Sequence, residues 1–182
     1  MYTFYRIPGS YRKPITMLVE QCCLQLINCA ATTSPPHLAH FTATTVRVGT
    51  FVSGIQNAGA FYAAREVLPA MVEAEHGTIL LTGASAALRG KAKFSALAVG
   101  KFGLRALAQS LAREFGPQGI HVSHVVIDGQ IDSPSIHEKM PDREEHTLLS
   151  PDAIAETYWQ LHMQDRTAWT LESDLRPSVE SF

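Results

Sequence analysis

Two short apolar runs rich in β-branched residues, Thr78–Thr82 (TILLT) and Ile120–Ile127 (IHVSHVVI), flank a stretch of helical period. In that stretch Leu97, Lys101, Leu104, Ala108, Leu111 and Phe115 recur every three to four residues, as on one face of a helix. Gly83 closes the first run and Asp128-Gly129 the second. The helix should end at Gly116-Pro117, because glycine takes the C-terminal conformation and proline cannot continue the hydrogen-bond ladder. Strand, helix and strand of these lengths make a right-handed crossover, so the two strands should be parallel neighbours in one sheet.

The flanks extend this pattern. Ala60, Ala64, Val67, Leu68 and Met71 give a helix around Phe61–Val72 an apolar face. Leu24–Ala31 (LQLINCAA) reads as a further strand, although Ile15–Leu26 also fits an amphipathic helix and pattern alone does not separate the two. Residues 1–17 have no period and hold two prolines, so they are expected to form an irregular arm ahead of a single domain spanning 18–182. Near the other end, Ser150-Pro151-Asp152 should open a helix carrying Ile154, Tyr158 and Leu161. Ala168–Leu171 is expected as the last strand, and His137–His146 as a charged, turn-rich segment.

Composition narrows the possibilities. With 182 residues, 46% hydrophobic and 18% charged at a net charge of −2, the chain suits one domain with a real core. No basic run argues for nucleic acid, and no apolar run is long enough for a membrane span. The three cysteines, Cys22, Cys23 and Cys29, crowd one segment, which favours a reducing compartment over a disulfide framework. A cytoplasmic location is therefore expected. The acid-poor start, with Arg6, Arg12, Lys13 and Arg47 against Glu20, leaves an organelle-targeting signal as the alternative. His121 and His124 should face opposite sides of a strand, and His37 and His40 lack partners at ligand spacing, so no metal site is expected.

The GTILLTG strand, the following LRG, the lysine-bearing helix, AQSLAREFGPQGIHV and the DG-x-I-D-S loop stand in an order that resembles the short-chain dehydrogenase/reductases. The segments AETYWQLHMQ and AWTLESDLRP resemble an atypical branch of that family. The resemblance implies an α/β fold. Residues 18–182 would form an N-terminally truncated, partial Rossmann-like doubly wound parallel sheet with helices on both faces. It also implies an NAD or NADP cofactor and a small carbonyl or alcohol substrate.

Family chemistry pairs a tyrosine with a lysine four residues on, because i and i+4 share a helical face and the ammonium favours the phenolate. Lys101 matches the lysine, but Leu97 stands at the tyrosine position and Ala84 at the serine position. Gln56, with Asn57 beside it, falls at the position of the family's asparagine. Cofactor contacts carried over by resemblance are Asn28 after the first strand, Lys101 to the ribose, and Gly129, Ile131 and Ser133 in the loop after Ile127. Thr82, Ser85 and Ser95 lie close in sequence to the inert positions. A one-residue shift on a strand reverses the face, however, so Ser85 is not a simple substitute for a serine at 84.

The family's glycine-rich phosphate turn has no counterpart here, since Gly9 and Gly49 are the only glycines before Gly54. The combined expectation is an oxidoreductase homologue of weak or absent turnover. The alternative is a non-catalytic subunit or fragment acting through partners. The resemblance also implies homo-oligomers through the two long helices, where Ala58, Ala60, Ala63 and Ala64 and Ala96, Ala98, Ala106 and Ala108 would allow close approach.

Overall fold

In the computed structural model, residues 24–27, 43–144 and 146–179 are described, those at 24–27 and 43–56 as backbone only. The elements are β1 (Leu24–Ile27), α1 (Ala43–Glu73), β2 (Gly77–Thr82), α2 (Ser95–Phe115) and β3 (Ile120–Ile127). They are followed by β4 (Gln130–Ile131), α3 (Pro134–Lys139), β5 (Leu148–Leu149), α4 (Pro151–His162) and β6 (Glu172–Leu175).

A four-stranded parallel sheet has the order β1-β2-β3-β6. Its register sets Leu24 beside Thr78, Thr82 beside Val125, and His124 beside Glu172. The LQLI segment is therefore a strand and not part of a helix. All eight residues of β3 are buried, as expected of a parallel strand covered on both faces.

Each face has its own core. Ile79, Leu81, Ile120 and Val122 pack under Ala60, Ala64, Leu68 and Met71 of α1 and under Leu104, Ala108 and Leu111 of α2. On the other face Leu80, Val125 and Ile127 pack under Ile154, Tyr158 and Leu161 of α4. Helices on both faces of a parallel sheet are the doubly wound arrangement. α1 and α2 lie close enough that a Cβ on Gly103 would meet the Asn57 side chain at 2.5 Å. Ala60, Ala64, Ala98 and Ala108 are accordingly buried inside the chain.

Local chemistry explains the boundaries. α4 starts where Ser150 Oγ accepts from Ala153 N at 3.4 Å, with Pro151 at its first position and Asp152 in its positive first turn.

Three expectations shift. α2 does not end in a left-handed Gly116, which has φ −55°. The chain instead runs through a short 3₁₀ turn to Gly119, whose φ is +90°. Any side chain at Gly119 would strike the Glu75 carbonyl, so glycine is required there by conformation and by space.

The last strand is Glu172–Leu175, not Ala168–Leu171. Asp165 accepts from Thr167 N and caps a 3₁₀ turn over Arg166–Ala168, and Trp169 stacks on His121 at 4.9 Å. The apolar AWTL segment is thus held by side chains, while the polar ESDL segment takes the sheet edge. His137–Lys139, expected in a turn-rich segment, belong to the short helix α3.

Candidate functional site

The C-terminal edge of the parallel sheet gathers the ends of β2 and β3 and the first half of α2. At its centre Lys101, 4% exposed, donates from Nζ to the Thr82 carbonyl at 2.9 Å. On the opposite face of the same residue, Thr82 Oγ1 lies 3.0 Å from the Tyr158 hydroxyl. Thr82 is therefore held from α2 through its backbone and from α4 through its side chain.

One turn before Lys101, the half-buried Leu97 offers no exchangeable proton. Ala84 is extended (φ −158°, ψ 171°) and leads into the 3₁₀ turn Ser85–Ala87. Ser85 is half-buried, and its carbonyl accepts from the Leu88 and Arg89 amides; Ser95 is exposed at the start of α2.

The other expected positions divide. Gln56 lies within α1 but its side chain is outside the described residues, as is Asn28 altogether. Asn57, beside Gln56, lies with its side chain against Gly103 of α2. Gly129 sits under Pro177 and Leu149, with a Cβ there 2.9 Å from Pro177 Cδ. Ile131 pairs with Leu149 in the small β4–β5 ladder. The Ser133 carbonyl accepts from the Ile136 and His137 amides at the head of α3. Asp128, ahead of this loop, is 3% exposed and faces Arg176 Nη2 at 3.6 Å.

Two groups beneath the edge escape sequence reasoning. His124 is fully buried, and neither ring nitrogen has a hydrogen-bond partner among the described residues. It lies against Gly83, where a Cβ would come 2.3 Å from its Nε2. Burial pushes its pKa down to about 4 against the opposing pull of Glu172, with smaller lowering contributions from nearby Arg105 and Lys101.

Beside it, Arg105 clamps Glu172 through Nε and Nη2 at 2.8 and 2.7 Å, and Gln109 adds a bond at 2.9 Å. The Arg105 guanidinium chiefly, helped by Gln109 against a burial penalty, holds the Glu172 carboxyl down at about 2. Lys101, Arg105 and Gln109 at i, i+4 and i+8 were a visible signal that one face of α2 is polar. The partner of Arg105 and Gln109, 63 residues beyond Gln109 in β6, was not.

The family model described as enoyl-(acyl carrier protein) reductase matches residues 25–175, most of the chain. A short-chain dehydrogenase from Rhodopseudomonas palustris is 38% identical, with 85% of this chain and 61% of that one covered at a TM-score of 0.65. The chain belongs to the short-chain dehydrogenase/reductases. Serine dehydrogenase from Escherichia coli shares the fold at 19% identity, covering 94% of this chain and 70% of that one at a TM-score of 0.69. So does a 3-oxoacyl-[acyl-carrier protein] reductase with bound NAD from Brucella melitensis, at 20% identity, 84% and 60% coverage, and a TM-score of 0.68. The chain thus spans 61% of the length of its Rhodopseudomonas relative. No curated protein sequence matches it.

The residues present fit the nicotinamide end of a dinucleotide in kind. The lysine ammonium and the loop after β3 both stand at the C-terminal edge of the parallel sheet, where ligands of open α/β sheets bind. Among the described residues, no cluster of His, Cys, Asp or Glu could hold a metal ion, and no helix is long and apolar enough to cross a membrane.

Proposed function

We propose that this chain is an NAD- or NADP-type oxidoreductase homologue that keeps the ribose-contacting side of the site and has lost its proton-transfer side. Turnover of carbonyl or alcohol substrates is then weak or absent. One observation carries the reading: Lys101 stands at the sheet edge on Thr82, while Leu97 and Ala84 occupy the two positions from which a proton and a hydroxyl contact would come.

A bound nicotinamide supplies the hydride. What this chain supplies is orientation, with Lys101 and Ser133 as ligand contacts and the backbone of Gly129 and Ile131 as the lining of the amide end. Asn28 and Gln56 complete the set by family resemblance. Loss of a positioned general acid lowers such a reaction by about 10²–10⁴-fold.

Titration with NADH and NADPH, followed by calorimetry and by nicotinamide fluorescence, tests the reading. Saturable binding weakened by Lys101→Met, together with carbonyl reduction that rises in the Leu97→Tyr/Ala84→Ser double variant, supports it. No binding at millimolar cofactor overturns it.

A second reading has its own observation. Phe61 and Tyr62 on α1 and Val99 and Phe102 on α2 are exposed by 41% to 62%. Such aromatic and aliphatic side chains on two neighbouring helices favour a homo-oligomer with a non-catalytic role. Analytical ultracentrifugation of the wild type against Phe102→Glu/Phe61→Glu tests it; a wild-type monomer at micromolar concentration removes it.

A further inference from the structure

Charge is distributed unevenly along this chain. Between His76 and Arg113 stand six lysines and arginines and no Asp or Glu. Of the 15 cationic and 17 acidic residues in total, nine and seventeen therefore lie elsewhere, a net of −8 against +6 for this segment. Within the segment the cations have different employments. Lys101 is buried on Thr82, Arg105 is bound to Glu172, and Arg113 Nη1 donates to the Gln109 carbonyl near the far end of α2.

The other three, Arg89, Lys91 and Lys93, fall within five residues of one loop. They are exposed, and no acidic group among the described residues pairs with them. The loop has a definite shape. The Leu88 and Arg89 amides both donate to the Ser85 carbonyl, and the Phe94 amide donates to the Lys91 carbonyl at 3.0 Å. Lys93 is held at φ +70°, a left-handed conformation that lysine adopts at a cost. Leu88 and Phe94, 38% and 39% exposed, flank the cations.

We propose that the Leu88–Phe94 loop, at the mouth of the sheet-edge site, recognises a phosphate group on a small-molecule ligand. Three like charges within five residues repel one another unless a counter-charge is bound, and a phosphate dianion neutralises two of the three at once. Size separates a small ligand from a polymer. Arg113 lies roughly 27 Å along α2 from Ser95, so the uncommitted cations form one compact group and not a track for successive phosphates. The strongly acidic remainder of the chain further disfavours an extended polyanion. The flanking Leu88 and Phe94 give the ligand's uncharged body an apolar contact. The loop follows β2 through Gly83, Ala84 and the 3₁₀ turn Ser85–Ala87, so it starts from the strand end on which Lys101 is seated.

The inference rests on the sheet edge being the ligand face, as proposed above, but its test does not need the cofactor. Inorganic pyrophosphate is titrated into the ¹⁵N-labelled full chain while amide shifts are followed. Shifts concentrated at residues 88–94, with affinity about tenfold or more weaker in Arg89→Gln/Lys91→Gln/Lys93→Gln and unchanged in Arg65→Gln, support the proposal. Shifts spread equally over Arg65, Arg113 and Arg166, or equal affinity in the triple variant, overturn it. So does a short single-stranded oligonucleotide that binds this loop more tightly than pyrophosphate.

Pyrophosphate binding at the loop without NADH binding removes the proposed function and leaves this inference standing. The reverse result removes this inference alone.

Discussion

His124 makes the stability of this fold depend on pH in a calculable way. Its ordinary pKa near 6.5 falls to about 4 in the folded chain, so above 6.5 the ring is neutral in both states and its full contribution is present. As pH drops below 6.5, the unfolded chain takes up a proton that the folded chain refuses, and stability falls until the folded pKa is reached. Between pH 7 and 4.5 this linkage amounts to about 2.5 kcal/mol, a large part of the stability of a marginal domain. His121 and His162, also pushed down chiefly by burial, act in the same direction.

Comparison with His124→Leu separates them, because only the first contribution disappears in that variant. Urea unfolding of both proteins at pH 7 and 4.5 reads it. With an m-value of about 2 kcal/mol/M, the wild type should lose about 1.2 M more in midpoint than His124→Leu. Equal losses within experimental error would refute the buried, neutral assignment of His124. An imidazole Cε1 resonance that titrates near 6.5 in the folded protein would do the same.

Gly83→Ala puts a methyl group into the His124 ring, which is fully buried and has nowhere to move; a loss of about 1–3 kcal/mol is expected by thermal melting. Gly83→Ala combined with His124→Ala should cost less than the sum of the two single changes, and strict additivity would contradict the contact. Glu172→Gln removes the charge gripped by Arg105, on side chains 29% and 30% exposed, for an expected loss of about 1 kcal/mol at pH 7. Because the Glu172 pKa is lowered to about 2, that difference should be full above pH 4.5 and vanish toward pH 2. Tyr158→Phe deletes the hydroxyl contact with Thr82 at a cost of about 1 kcal/mol; faster exchange of the Gly83 amide, bonded to Val125 at 2.6 Å, would report the loosened strand end.

The βαβ frame was legible because its signals are local. Apolar β-branched runs, the three-to-four-residue spacing from Leu97 to Phe115, and Ser150-Pro151-Asp152 each specify an element through neighbours in sequence. The place of Lys101 on the α2 helix was legible from the same spacing. The rest of the site was not, because it depends on distant partners. His124 belongs under Gly83, Tyr158 finds Thr82 across 76 residues, and Arg105 finds Glu172 across 67. The last strand was misplaced for a related reason. Apolar Ala168–Leu171 matches a strand by composition, but Trp169 is committed to the His121 ring, a contact no local pattern encodes.

Thr82 is a single residue with two tenants. Its carbonyl is claimed by the lysine of α2 and its hydroxyl by the tyrosine of α4, from opposite faces of the sheet. Helices on opposite faces of a doubly wound sheet ordinarily sense each other only through several packed side chains. Here one residue is common to both, so the Tyr158 hydroxyl and the Lys101 ammonium share a single seat. α4, which follows the β4–β5 ladder in the chain, is thereby tied through one residue to the lysine on the opposite face of the sheet.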